Sequence, residues 1–251
     1  MTPANNMYRA RTYRNLINTP NLFSYKVVVK ETDLQVYSEK KLERETRELV
    51  LEQRGYLEAF IKTHPEFAET LVPWRLEGPV PNIISRMVAA GNKAGVGPMA
   101  AVAGAIAEQV GLGLSELTDQ VIVENGGDIF IRAKTPLTVG IYAGKSPLSL
   151  KVGIRVHCGQ DPVAVCTSSA SVGHSLSLGK ADAVCVLADS CSIADAAATS
   201  IGNLIQSPAD IQAAVSMGKR IREIKGLAII IDKKIGLWGD MEVVPLKGKK
   251  G

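Results

Sequence analysis

The sequence predicts an α+β fold built mostly on antiparallel sheets. Three observations carry that reading. Short runs rich in Val, Ile and Tyr, bounded by turn residues, recur along the chain. Longer stretches with helical spacing of apolar residues separate them. The two kinds come in blocks rather than in strict alternation, which favours α+β over a parallel α/β sheet. No repeat on the scale of about 20 to 50 residues is present, so a solenoid is excluded. With 251 residues, 46% of them hydrophobic, the chain can bury a substantial core and reads as one domain over 1–251.

Ser24 to Lys30 and Asp33 to Tyr37 read as strands with a turn at Glu31-Thr32. From Ser38 the pattern becomes helical. Leu42, Thr46, Leu49, Val50, Gln53, Leu57, Phe60 and Ile61 recur on one face, with Glu43 and Arg47 as an i,i+4 pair. Pro65 ends that helix, and His64 before it reads as a plain C-terminal cap residue. The loop Pro73 to Pro81 holds three prolines and a glycine, and is where 1–72 and 82–251 would separate if the domain divides. Asn82 to Asn92 is helical. Gly91, Gly95 and Gly97 then open a loop, and Pro98 starts a helix, Met99 to Gln109, made almost wholly of small apolar residues.

Beyond Gly113 the strands are Gln120 to Glu124, Asp128 to Arg132, Leu137 to Ile141, Lys151 to His157, Pro162 to Cys166 and Cys185 to Ala188. A helix starts at Ser192, and another spans Pro208 to Lys219. Leu227 to Ile231, Ile235 to Trp238 and Met241 to Val244 close the chain as strands.

Composition removes several function classes. Aromatic residues make up only 5%, against aromatic-lined recognition surfaces. No apolar run approaches the roughly 18 residues of a membrane span, so no membrane partner is expected. The start, Met1 to Asn6, lacks a basic and an apolar signal region, which makes a cytoplasmic location the expectation. Cys158, Cys166, Cys185 and Cys191 form no C-x-x-C pair and read as reduced thiols in strands, not as a zinc site. The net charge of +4 comes from the ends: Arg9, Arg11 and Arg14 near the start, and Lys247, Lys249 and Lys250 in the tail. Tyr8 and Tyr13 interleave with those arginines, but nothing else resembles a nucleic-acid surface, and no nucleic-acid partner is expected.

The chemistry concentrates between Thr167 and Asn203. Asp195 and Thr199 are four apart, so on a helix their oxygens project from one face. A carboxylate and a hydroxyl are hard-oxygen ligands of the kind that take Mg²⁺ or Ca²⁺. The competing reading is a helix capped by Ser192, with Asp195 serving the macrodipole. Ile193, Ala197, Ile201 and Leu204 suit a core.

Three further constellations accompany this pair. Gly95-Val96-Gly97-Pro98 at a helix start could bind an anion, with Lys93 adding charge, or could simply let two backbones pack closely. Asn125-Gly126-Gly127-Asp128 is a hairpin turn, whose second glycine would admit a ligand near the backbone. Thr167, Ser168 and Ser169 lead to His174, which among small polar residues would suit a proton donor or ligand contact, or equally an ordinary loop hydrogen bond. The absence of a G-x-S-x-G elbow argues against a hydrolase triad. His157 reads as structural, and Asp161 and Asp182 read as turn residues or extra acids.

Taken in order, these segments resemble the ApbE-like superfamily of FAD:protein FMN transferases, and within it the short, uncharacterised, cytoplasmic branch. Asn125-Gly126-Gly127-Asp128 is similar to that family's N-x-G-G-[DE] hairpin, and Thr167-Ser168-Ser169 to its T-S-G segment. Ala194 to Thr199 is similar to A-D-A-x-[AS]-T, whose Asp and Thr bind Mg²⁺ in the family. The family's H-x-x-D-P motif is missing, with Val172-Gly173-His174-Ser175 in its place. The resemblance spans about residues 91 to 205.

The resemblance implies a phosphorylated small molecule as partner, FAD or another flavin nucleotide, beside Mg²⁺ held by Asp195 and Thr199. Gly95, Gly97, Asn125, Gly126, Gly127, Asp128, Thr167, Ser168 and Ser169 would contact the ligand, and His174 would be catalytic. If the chain is an enzyme, phosphoryl or FMN transfer fits. Two alternatives stand beside this. One is a non-catalytic binding or carrier module, and the other a scaffold whose glycine loops serve close packing or homo-oligomer contacts.

Overall fold

The structure, a computed structural model, describes residues 21–170 and 177–246. Strands β1 (Phe23–Val29) and β2 (Thr32–Ser38) form the first hairpin and lead into α1 (Glu43–Thr63) and the short α2 (Glu66–Glu69). After the proline loop come α3 (Asn82–Ala94), a 3-10 turn at Pro98–Ala101 and α4 (Val102–Ser115). The strands β3 (Val121–Asn125), β4 (Asp128–Arg132), β5 (Leu137–Gly140), β6 (Val152–Val156), β7 (Val163–Ser168) and β8 (Ala183–Ala188) follow. The chain then runs through α5 (Cys191–Asn203), α6 (Ile211–Gly218), β9 (Ile224–Ile231), β10 (Lys234–Gly239) and β11 (Glu242–Pro245). Each strand and long helix expected from the pattern is present, with ends shifted by a few residues.

Eight strands form one antiparallel sheet in the order β1-β2-β3-β4-β7-β8-β9-β10, and three form a second in the order β11-β6-β5. The helices cover one face of the large sheet and the small sheet covers the other. The strand period of two sorts the side chains between these layers. In β8, Val184, Val186 and Ala188 face the helices, while Ala183, Cys185 and Leu187 face the small sheet. Both faces being buried explains why β8 reads as a continuous apolar run and not as an alternation.

The proline loop does not part the core. β2 pairs with β3 across it, Leu34 opposite Asn125 through Ser38 opposite Val121. Among the described residues no single helix is long and apolar enough to cross a membrane.

Several local expectations change. Glu43 pairs with Lys41 at 3.3 Å, and Arg47 donates to the Val28 carbonyl, so the Glu43–Arg47 pair does not form. Leu204, at the end of α5, is 48% exposed and outside the core. His64 caps α1 as expected, its ring stacked on Phe60. Cys166, Cys185 and Cys191 are buried free thiols and Cys158 a half-buried one. Burial pushes the Cys185 thiol up to about 12.

Candidate functional site

Small residues bring three elements unusually close. A side chain at Gly104, in the first turn of α4, would place its Cβ 2.4 Å from the Cys191 carbonyl oxygen and 2.8 Å from Asp195 Cβ. About two turns further on, a Cβ at Gly111 would sit 2.2 Å from the Phe130 ring. Glycine at both positions lets α4 lie flat on β4 and touch α5 backbone to backbone.

That approach decides the fate of Asp195. Its Oδ2 accepts the Gly104 amide at 2.8 Å, and the Ala103 amide also donates to it. These are amides of the first turn of α4, so a carboxylate on α5 caps a different helix. Burial, partly offset by the two amide donors, pushes its acid constant up to about 7.

The hairpin meets the same helix end. Asn125 Nδ2 donates to the Ala103 carbonyl at 3.0 Å, so Ala103 is held from both sides. Gly126 (φ 69) and Gly127 (φ 111) form the two-residue turn between paired Asn125 and Asp128. A primed turn needs positive φ at both central positions, which accounts for the second glycine without a ligand. The Gly127 amide donates to Glu124 Oε1 at 2.8 Å.

Asp128 points to the helix side of the sheet, as Phe130 does. The Thr167 amide donates to it, and the Cys166 thiol, which donates to the Cys191 carbonyl, lies beside it. Loss of solvent, and then the Asp195 charge, raise its acid constant well above the ordinary carboxylate range. Two acids from distant parts of the chain thus share one electrostatic environment that disfavours ionising both.

On α5, Asp195, Thr199 and Asn203 are the half-buried positions of a helix otherwise buried up to Asn203, spaced at i, i+4 and i+8 along one strip. Asn203 Oδ1 accepts the Leu178 amide at 2.9 Å. Ser168 lies on the same side of the sheet, its Oγ 3.7 Å from where a Cβ at Gly202 would stand. Half-buried Met99, Ala100, Val102 and Ala103 border the start of α4.

Other expected contributors are placed elsewhere. Gly95 ends α3 in the left-handed conformation, and Gly97 passes the Thr70–Leu71 backbone, where a Cβ would be 1.9 Å from the Thr70 oxygen. The Gly97 amide donates to the Leu71 carbonyl at 2.9 Å, so these two glycines serve packing and not an anion. Lys93 is paired with Glu223 at 2.6 Å. The Thr167 hydroxyl donates to Cys185 Sγ on the opposite face of the sheet, which leaves only its backbone on this side. Ser169 follows β7 and is half-buried. His174 lies outside the described residues. His157 is on the surface, 2.9 Å from the Glu242 carboxylate. Asp182 accepts the Asp232 amide at 2.7 Å in a turn role, and Asp161 is exposed. A groove of about 600 Å³ between the two sheets, lined by Arg155, His157, Lys225 and Met241 among others, contains none of the candidate residues.

The cap of α5 is Ser190, whose hydroxyl accepts the Ile193 amide, and not Ser192. Ser192 turns to Glu108 of α4, a residue that sequence reasoning passed over. Glu108 Oε2 accepts from Ser190 Oγ at 2.9 Å, the Ser192 amide at 3.1 Å and Ser192 Oγ at 2.8 Å. Its Oε1 accepts from Arg86 Nη1 of α3 at 2.7 Å. The available signal was that Glu108 is the one charged residue within α4.

The sequence pattern of the family described as AbpE bacteria matches residues 14–237. The chain belongs to this family. A UPF0280 protein of Methanocaldococcus jannaschii is 40% identical over 223 residues, covering 86% of this chain and 91% of that one. Another, from Methanocella arvoryzae, is 39% identical over 227 residues, 89% and 92% of the two chains.

Solved structures share the architecture. The ApbE protein of Thermotoga maritima superposes with a TM-score of 0.54 at 17% identity, over 86% of this chain and 96% of that one. A histidine-to-glycine mutant of flavin transferase ApbE from Vibrio cholerae gives 0.53 at 14%, over 87% and 97%. At these identities the likeness is one of fold. The α+β architecture expected from the strand and helix blocks is therefore that of an ApbE-like member.

Proposed function

We propose that this family member binds a flavin nucleotide, or a closely similar phosphorylated molecule, beside a divalent cation at the junction of α4, α5 and the Asn125–Asp128 hairpin. The observation that carries the reading is the Asp195 carboxylate, drawn to the start of α4 beside a second buried acid, Asp128. The residues fit a hard cation. Asp195 and Thr199 offer oxygens from one helix strip, and a cation would favour the ionised forms that burial, and for Asp128 also the Asp195 charge, disfavours. Among the described residues no three acid, histidine or cysteine side chains converge to hold a metal by themselves. That suits Mg²⁺, which typically takes one or two carboxylates and completes its shell with water and substrate phosphate.

When bound, the cation would neutralise charge on the phosphate oxygens as a phosphoanhydride is cleaved. The chain's own part is orientation. Asn125 and the two hairpin glycines fix the approach to the start of α4, Ser168 offers a hydroxyl from β7, and the half-buried Met99, Ala100 and Val102 give the ligand an apolar surface. FMN transfer from FAD is the reaction this arrangement serves best, in keeping with flavin transferases that share the fold.

A second reading, a carrier that holds the flavin without cleaving it, is favoured by one specific feature, the missing H-x-x-D-P segment. Incubating the purified protein with FAD and Mg²⁺ and following AMP by chromatography separates the two. AMP appearing with protein and not with buffer supports transfer. Flavin retained on the protein without AMP supports the carrier, and no retention at all rejects both.

A further inference from the structure

The Asp195 site stands on a helix whose first turn is held from elsewhere. Glu108 is 5% exposed and lies one turn beyond Gly104 on α4. Four donors meet its two oxygens: two serine hydroxyls and one amide at the start of α5, and the Arg86 guanidinium of α3. Asp195 lies one turn after Ser192 on α5 and reaches back to the start of α4. The two helices therefore exchange carboxylates, each satisfying the first turn of the other. The exchange fixes both the rotation of α5 and its height along α4.

We propose that Glu108, balanced by Arg86, is the positioning residue of the Asp195–Thr199 site. The argument is geometric. Asp195 and Thr199 have no choice of direction once the first turn of α5 is fixed, because both stand on one strip of a single helix. Ala194, Ala196, Ala197 and Ala198 are all fully buried, so that, Ile193 and Ile201 apart, small side chains leave the rotation of the helix in need of a directional constraint. The hydrogen bonds on Glu108 Oε2 supply that constraint. Arg86 sets a positive charge 2.7 Å from Oε1 of the buried carboxylate, whose Oε2 meets the other three donors. A helix turned by a few tens of degrees would carry Asp195 off the Gly104 amide and Thr199 off the shared strip.

This inference rests on the proposed cation site for its consequence, but its first readout does not need a cation. The test uses the full chain, Glu108→Leu, Glu108→Gln and Ser192→Ala, with amide hydrogen exchange at Gly104 and Mn²⁺ titration followed by water proton relaxation. Glu108→Leu fills the volume without oxygens, and Gly104 exchange should rise at least about tenfold while amides of β8 stay unchanged. Mn²⁺ affinity should fall by about tenfold, as for other residues that orient a metal ligand. Glu108→Gln can still turn one oxygen to the serines but sets its NH2 against Arg86, so both readouts should fall between those of the leucine variant and the unaltered chain. Ser192→Ala removes a single donor and should give the same changes at smaller size, which decides the matter if the leucine variant does not fold.

Gly104 exchange unaltered in Glu108→Leu, or in Ser192→Ala where the leucine variant is unfolded, overturns the positioning role. Loss of Gly104 protection in a protein that binds no Mn²⁺ even unaltered upholds the positioning of Asp195 and rejects the cation reading instead. Loss of protection in the glutamine variant equal to that in the leucine variant would also overturn the proposal, since an accepting oxygen would then be irrelevant.

Discussion

Asp195 and Glu108 occupy the same helix seam, one turn apart, and meet very different company. Glu108 has an arginine and three further donors, and every one of them comes from the protein. Asp195 has two backbone amides, no cationic side chain beside it among the described residues, and a second acid, Asp128, whose pKa its charge helps to raise. A buried carboxylate that is fully matched serves architecture, whereas one left short of positive charge marks a place where a ligand can complete the balance. The difference between the two is the main reason for placing the function at Asp195.

Breaking the seam itself should have the largest effect. Gly104→Ala would put a methyl group 2.4 Å from the Cys191 carbonyl, a backbone atom that cannot swing away. We expect a loss on the order of 3 kcal/mol in urea unfolding, larger than an ordinary helix Gly→Ala change, which would stabilise. An unchanged or raised midpoint would mean that the two helices are not in such close contact.

Sharpening the comparison requires pH. Asp195 and Asp128 both have folded-state acid constants raised above the unfolded value, so the native state holds more protons in between. The contribution of Asp195 is fully present below about pH 4 and is lost as pH rises through about 7, and that of Asp128 is lost in the same direction. Asp128→Asn, neutral throughout, should therefore stabilise the protein at pH 8 and have little effect at pH 4. The check is urea unfolding of both proteins at the two pH values. A destabilisation of equal size at both would show that Asp128 is held by its hydrogen bonds and not strained by its charge.

Much of this site was legible in the sequence because its parts are local. Asn-Gly-Gly-Asp can hardly be anything other than a tight hairpin, and the spacing of Asp195 and Thr199 gives a shared helix face directly. What could not be read is what those local pieces touch. Glu108 and Ser192 are 84 residues apart, and no spacing rule links them. Ser190 and Ser192 are equally good caps by composition, and both reach Glu108, so nothing local says that Ser190 is the one that caps α5. Gly97 looked like part of an anion loop because small residues at a helix start serve ligands and backbone crossings alike. Its partner, the Thr70–Leu71 segment, precedes it by some 26 residues of irregular loop and helix. The double burial of the large sheet was also hidden, since apolar runs such as β8 fix the strand but not what lies over each face.

The central claim is that Asp195 holds a cation through which a flavin nucleotide binds, and calorimetric titration of FAD into the unaltered protein and Asp195→Ala, each with and without Mg²⁺, tests it most directly. The account predicts binding to the unaltered chain that requires Mg²⁺, and none to the alanine variant, whose unfolding midpoint stays within a few degrees. Equal FAD binding by both proteins, or binding indifferent to Mg²⁺, would contradict it.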